Sequence, residues 1–99
     1  MKVTLAAQAQ ADLREIGDFV AQDSPQAAKR LVGGLRSAAA NLALFPTKFP
    51  VIGQRDGLSI RRRPYGAYLI FYAVTERAVE VARILHAARD HERILFPDD

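Results

Sequence analysis

Cysteine is absent from the 99 residues of this chain. That excludes a disulfide framework, a thiolate metal site and a cysteine nucleophile, and it allows a reducing compartment without requiring one. Long apolar runs are missing too. The longest, Ala67 to Val74, is far short of the roughly 20 residues that cross a bilayer. The N-terminus lacks the charged-then-apolar pattern of a secretory signal, so a soluble cytoplasmic protein is expected. There is no glycine-rich phosphate loop and no HExxH motif. Ser24, Ser37 and Ser59 read as a helix cap, a helix surface residue and a strand residue rather than as nucleophiles. The only two histidines, His86 and His91, are five residues apart, which is no convincing metal spacing; neither metal nor cofactor is expected.

What the chain does have is order and late arginines. Its length fits one domain, residues 1–99, with one core that hides roughly two-thirds of the extended surface. Leu, Ile, Val and Phe are too frequent for a disordered chain. Fourteen basic against eleven acidic residues give a formal charge of +3, but the distribution matters more than the sum. Arg61, Arg62, Arg63, Arg83, Arg89 and Arg93 all fall in the second half, interleaved with Tyr65, Tyr68 and Tyr72. Cationic and aromatic groups threaded through the most strand-like region of so small a chain imply a binding surface for acidic partners.

The pattern along the chain predicts an α+β fold. Val3 and Leu5 alternate as in a short N-terminal strand. Leu13, Ile16, Phe19 and Val20 recur at helical spacing, predicting an amphipathic helix over residues 6–21, slightly weakened by Gly17. Ser24 then reads as an N-cap with Pro25 at the first helical position. The stripe from Ala28 through Leu31, Leu35, Ala38 and Leu42 predicts a second helix running to about Leu44, stopped by Pro46. The short break between the helices implies an antiparallel hairpin. Residues 45–57, with two prolines and two glycines, read as a loop. Strands are predicted at 58–63, 67–74 and 78–85, with turns at 64–66 and 75–77, giving a three-stranded antiparallel meander in a small antiparallel sheet. Residues 89–96 read as a helical turn or an extended tail, and the Pro97-Asp98-Asp99 end as frayed. With both faces of the 67–74 strand apolar or aromatic and the helices able to cover only one, the other face is expected to expose tyrosines and aliphatics as a partner site.

The chemistry such residues offer is that of nucleic-acid cleavage. Cleaving RNA through its 2′-hydroxyl needs a general base, a general acid and a cation at the phosphorane. Arg61, Arg83 or Arg89 supplies the cation in this reading, and His86 is the candidate for proton transfer, histidine being the residue type suited to it. The simpler reading makes Arg61, Arg62 and Arg63 a charged edge that guards against aggregation, and His86 a strand terminus. The Arg89-Asp90 pair reads as a local salt bridge, and Asp12, Arg14, Glu15, Lys29 and Arg36 as solvated helix surface.

Five segments in order carry a resemblance: Ala11-Asp-Leu-Arg-Glu-Ile16, Ser24-Pro-Gln-Ala-Ala28, Leu44-Phe-Pro46, Ile60-Arg-Arg-Arg-Pro-Tyr-Gly-Ala-Tyr-Leu-Ile-Phe-Tyr72 and Ile84-Leu-His-Ala-Ala-Arg-Asp90. Together they resemble the ParE branch of the RelE/ParE superfamily of toxins over nearly the whole chain. The resemblance implies the toxin of a bacterial type II toxin–antitoxin pair, neutralised in a hetero-oligomer by a small ParD-like, ribbon-helix-helix antitoxin whose C-terminal segment wraps it. RelE-like members cut messenger RNA on the ribosome. They carry an arginine early in the middle strand and an aromatic or histidine near the C-terminus, positions that here hold Tyr68 and, nearby, Leu95. Arg61 and Arg89 stand where those enzymes have basic residues, so the phosphate-binding half of such a site is retained without its proton-transfer half. ParE-like members lack that catalytic set and poison DNA gyrase without chemistry of their own. The reading that follows is a gyrase inhibitor with no catalytic residues and no sequence-specific nucleic-acid contact, a ribosome-dependent RNase as the alternative, and a degenerate, non-toxic binding partner as a third. Target contact is expected at Arg89, Arg93, Ile94, Leu95 and Phe96. Antitoxin contact is expected on the outer edge of the helix hairpin and at Arg61, Tyr68, Tyr72 and Arg83.

Overall fold

The computed structural model describes residues 1–97; the frayed end expected at Asp98 and Asp99 lies outside the described residues. The order is β1 (Lys2–Leu5), α1 (Ala7–Ala21), α2 (Pro25–Ala40) continued by a 3-10 turn (Asn41–Ala43), β2 (Val51–Arg55), β3 (Leu58–Tyr65), β4 (Tyr68–Val74), β5 (Ala78–His86) and a one-turn helix α3 (His91–Leu95). The strands form one sheet in the order β1-β5-β4-β3-β2.

The helix hairpin forms as its sequence predicts. The Ser24 hydroxyl accepts from the Ala27 amide at 3.1 Å, and Pro25 opens α2. The α-helical part of α2 ends at Ala40, earlier than the apolar stripe implies, and tightens into the 3-10 turn.

The sheet is larger than the sequence pattern indicates. Residues 51–55, read as loop, form β2, an edge strand paired antiparallel with β3. Pro50 lies just outside it and the pairing shifts register between Val51 and Gly53, so the prolines and glycine are accommodated as edge features. The signal was the Asp56-Gly57 dipeptide. Both residues have positive φ (53° and 80°), the conformation that joins two antiparallel strands through a two-residue turn. The meander therefore has four strands, and β1 adds to β5 in parallel, making the sheet mixed rather than antiparallel. Gly66 (φ 57°) makes the tight turn from Tyr65 to Tyr68, and Thr75 closes the β4–β5 turn by accepting from the Ala78 amide at 3.1 Å.

Both faces of β4 are covered, which corrects the expectation of an open one. Ile70 and Tyr72 pack with Leu13, Leu35, Ala38 and Leu42 of the helix layer, with Tyr68 and Val74 partly buried beside them. Leu69, Phe71 and Ala73 pack on the opposite side with Ile60, Leu85 and Leu95, and Ile94 of α3 and Phe96 just beyond it join that cluster. The tyrosine face is thus the helix-covered face, and the C-terminal helix caps the other. Gly53 makes room for this: a Cβ there would sit 2.6 Å from the Phe96 ring. Gly53→Ala is expected to cost about 1–2 kcal/mol through overpacking, read as a lowered urea midpoint. The Gly53→Ala/Phe96→Ala pair should lose less than the sum of its single changes, since removal of the ring relieves the clash.

Candidate partner-binding groove

The C-terminal ends of α1 and β5 flank a groove of about 410 Å³ lined by Asp12, Glu15, Ile16, Phe19, Tyr68, Ile84, Leu85, His86 and Arg89. Asp12, Glu15, Ile16 and Phe19 recur at three- and four-residue spacing, so one face of α1 supplies them all. Phe19 is 69% exposed, an unusual state for a phenylalanine at the mouth of an apolar groove.

A polar lock holds α1 on β5. Pairing of β1 with β5 ends at Leu5 and Val81, which leaves the next stretch of that edge without a neighbouring strand. Asp12 replaces it: Oδ2 accepts from the Ile84 amide at 2.9 Å, and the carboxylate takes a two-pronged bond from Arg83 Nε and Nη2, both at 2.9 Å. Asp12 is the buried charged residue of the core, and Arg83 is its partner. The Asp12 bond holds the Arg83 guanidinium above its ordinary pKa, against the opposing effect of burial. A raised folded value adds stability that persists until pH rises through it, far above physiological range, so this contribution is constant at working pH.

His86 is exposed and oriented. Its Nδ1 accepts from the Ala88 amide at 3.0 Å, and its ring meets Tyr68 edge-on at 5.2 Å. His91 lies against Phe71 at 5.5 Å, on the opposite face of the sheet. The two histidines are therefore not brought together.

The residues singled out from the sequence divide into three places. Tyr68 and Arg89 line the groove, although the sequence reading assigned them to different partners. Arg83 adjoins it but is engaged by Asp12. Tyr72 is fully buried and donates its hydroxyl to the Pro46 carbonyl at 2.8 Å, so it is no surface contact. Arg61 Nη1 donates to the carbonyls of Thr47 and Phe49 at 3.1 and 2.6 Å, clamping the 46–49 loop. Leu95 is fully buried and Ile94 and Phe96 are partly so, because the sheet needs them as a lid; only Arg93 of that segment is exposed. Asp12, which the sequence presents as helix surface, is the residue most clearly missed. Its signal is tertiary, an unpaired strand edge more than seventy positions away, and nothing local encodes it.

Burial raises the Tyr72 pKa above the ordinary tyrosine value of 10.0, with the Arg61 charge opposing. The unfolded chain thus ionises first as pH climbs, and the contribution of Tyr72 is full below pH 10 and lost above it. Wild type should exceed Tyr72→Phe by about 1 kcal/mol at pH 8, and that gap should close in urea titrations repeated above pH 10.

Among the described residues there is no cluster of three or more His, Asp or Glu side chains that could hold a metal, and no helix long and apolar enough to cross a membrane.

Residues 3–91 match the model of a family described as the ParE toxin of the type II toxin–antitoxin system parDE. The chain is 38% identical over 80 residues to Toxin RelE2 of Caulobacter vibrioides, covering 80% of this chain and 86% of that protein. Its fold is similar to a chromosomal ParDE toxin–antitoxin system from P. aeruginosa, with TM-score 0.74 and 19% identity over 87% of this chain and 95% of that one. It is similar also to the toxin–antitoxin complex RelBE2 from Mycobacterium tuberculosis, with TM-score 0.63 and 18% identity over 86% and 95% of the two chains.

Proposed function

Because this chain belongs to the ParE toxin family of type II toxin–antitoxin systems, we propose that it arrests growth by binding DNA gyrase and stalling it, without covalent chemistry of its own. A ParD-like antitoxin neutralises it in a hetero-oligomer, laying an apolar segment into the groove between α1 and β5. The groove suits such an occupant: its floor is apolar, and Glu15, His86 and Arg89 offer polar contacts at the rim.

One observation carries the non-catalytic reading. Of the candidate parts of a phosphodiester-cleaving site, His86 and Arg89 share the groove with Tyr68, and the others lie elsewhere. His86 and His91 face opposite sides of the sheet, Arg83 is committed to Asp12, and Arg61 is committed to loop carbonyls. General acid–base catalysis requires an acid, a base and a cation within reach of one reacting centre; two of the three candidate arginines are engaged elsewhere and the second histidine is held away from the groove, which supports the non-catalytic reading.

The RelE name of the Caulobacter relative favours a second reading, messenger cleavage on the ribosome. Expression in a bacterial host distinguishes them. Gyrase poisoning predicts growth arrest with induction of the DNA-damage response and intact transcripts, relieved by co-expression of the protein encoded in the adjoining reading frame. Arrest with transcripts cut at ribosome-occupied codons, abolished by His86→Ala, would establish the RNase instead.

A further inference from the structure

The loop between the 3-10 turn and β2 carries a second surface, which shares no lining residue with the groove. Leu44 and Phe45 are 70% and 67% exposed, among the most exposed large apolar side chains of the chain. Together with Lys48, Phe49 and Arg63 they line a recess of about 280 Å³. The Lys48 ammonium sits 5.6 Å, and the Arg63 guanidinium 5.3 Å, from the centre of the Phe49 ring.

This loop is not slack. The Tyr72 hydroxyl holds the Pro46 carbonyl, and Arg61 holds those of Thr47 and Phe49. Two side chains from the sheet thus fix the backbone that displays Leu44 and Phe45, which reduces the ordering cost of using them as anchors. Lys48 and Arg63 are the charged side chains that line the recess, and the stretch of sequence that supplies it is mainly of one sign. From Ser24 to Thr75 the chain has a single acidic residue, Asp56, against Lys29, Arg30, Arg36 and Lys48 and four arginines from Arg55 to Arg63.

We propose that Leu44, Phe45, Lys48 and Arg63 form the surface by which the chain engages its protein target, docking against an apolar recess bordered by carboxylates. This rests on the toxin reading. Leu44 and Phe45 stay largely exposed although they line the recess, so burying them takes an apolar acceptor on the partner, which a large folded target provides and a short wrapping segment does not; the separate groove between α1 and β5 suits the wrapping segment. Nucleic acid is the poorer occupant, since phosphates pair with Lys48 and Arg63 but do not bury Leu44 and Phe45.

The test is a Phe45→Glu/Lys48→Glu double variant of the full chain, with Leu44→Glu as an independent second. All three positions are exposed, so the folded state is expected to survive, and binding to the protein encoded in the adjoining reading frame reports that it does. Truncating anchors of this kind typically weakens an interface roughly thirtyfold, so the variants should need correspondingly more induced protein to arrest growth while binding the antitoxin as tightly as wild type. Undiminished arrest by the variants overturns the inference and leaves the toxin reading intact. Antitoxin affinity that falls in parallel assigns the surface to the antitoxin and also overturns it. So does wild-type binding to a DNA duplex or RNA hairpin in gel shift that the variants lose. A wild-type chain that leaves growth unaffected overturns the toxin reading and this inference together.

Discussion

Asp12→Ala is expected to destabilise the fold by about 3 kcal/mol, the lower end of the range for removing one partner of a buried ion pair. The variant leaves two groups without a partner: the Arg83 guanidinium, whose side chain is only 16% exposed, and the Ile84 amide at a strand edge that β1 no longer covers. Domains of this size retain roughly 5–15 kcal/mol in all, and each kcal/mol shifts the melting midpoint by about 4–8 °C. A drop of more than about 10 °C follows. Asp12→Asn should lose less, since the amide oxygen still accepts from Ile84. Asp12→Ala/Arg83→Met should also lose less than Asp12→Ala alone, because no unpaired charge is then left inside. If the double variant were instead as damaged as the sum of the single changes, Asp12 would matter as packing volume and not as the acceptor that locks α1 to β5.

Leu95→Ala should cost about 3 kcal/mol as well, within the range for a buried leucine. Its consequences would be more local. α3 has five residues, too few to hold helical form in water without a tertiary anchor, and Leu95 is its one fully buried side chain. Asp90 caps the helix by accepting from the Arg93 amide at 3.3 Å, a long bond that does not substitute for the anchor. Loss of Leu95 thus uncovers Ile60, Leu69 and Phe71. Amide exchange at residues 91–96 should become nearly unprotected while α1 and α2 retain most of their protection. Protection lost equally across the chain would mean that α3 belongs to the global folding unit rather than forming a lid on it.

The elements that local chemistry dictates were legible in the sequence. The Ser24-Pro25 cap, the apolar stripe of α2 and the alternation of β4 gave the hairpin and the meander nearly in place. β2 was hidden because Pro50 and Gly53 resemble loop residues, and an edge strand tolerates both; the Asp56-Gly57 turn was the overlooked sign. The site was less legible. Tyr68 and Arg89 stand out in the sequence and do line the groove, whereas Tyr72 and Leu95 look like surface contacts in sequence and the fold buries them. An alternating apolar strand does not say which of its faces the helices take, nor that a five-residue tail will cap the other. Asp12 and Arg61 followed the same rule in reverse. Each looks like a free surface charge in sequence, and each is committed to backbone groups that only the tertiary fold brings near.

The function proposed for this fold is to occupy another machine rather than to cut nucleic acid. The most direct measurement is supercoiling of relaxed plasmid by purified DNA gyrase in the presence of the purified chain, with linear DNA scored after protein digestion. Loss of supercoiling and accumulation of cleaved plasmid are expected, both prevented by prior addition of the antitoxin. Full supercoiling at molar excess of the chain, alongside cleavage of messenger on translating ribosomes, would contradict the proposed function.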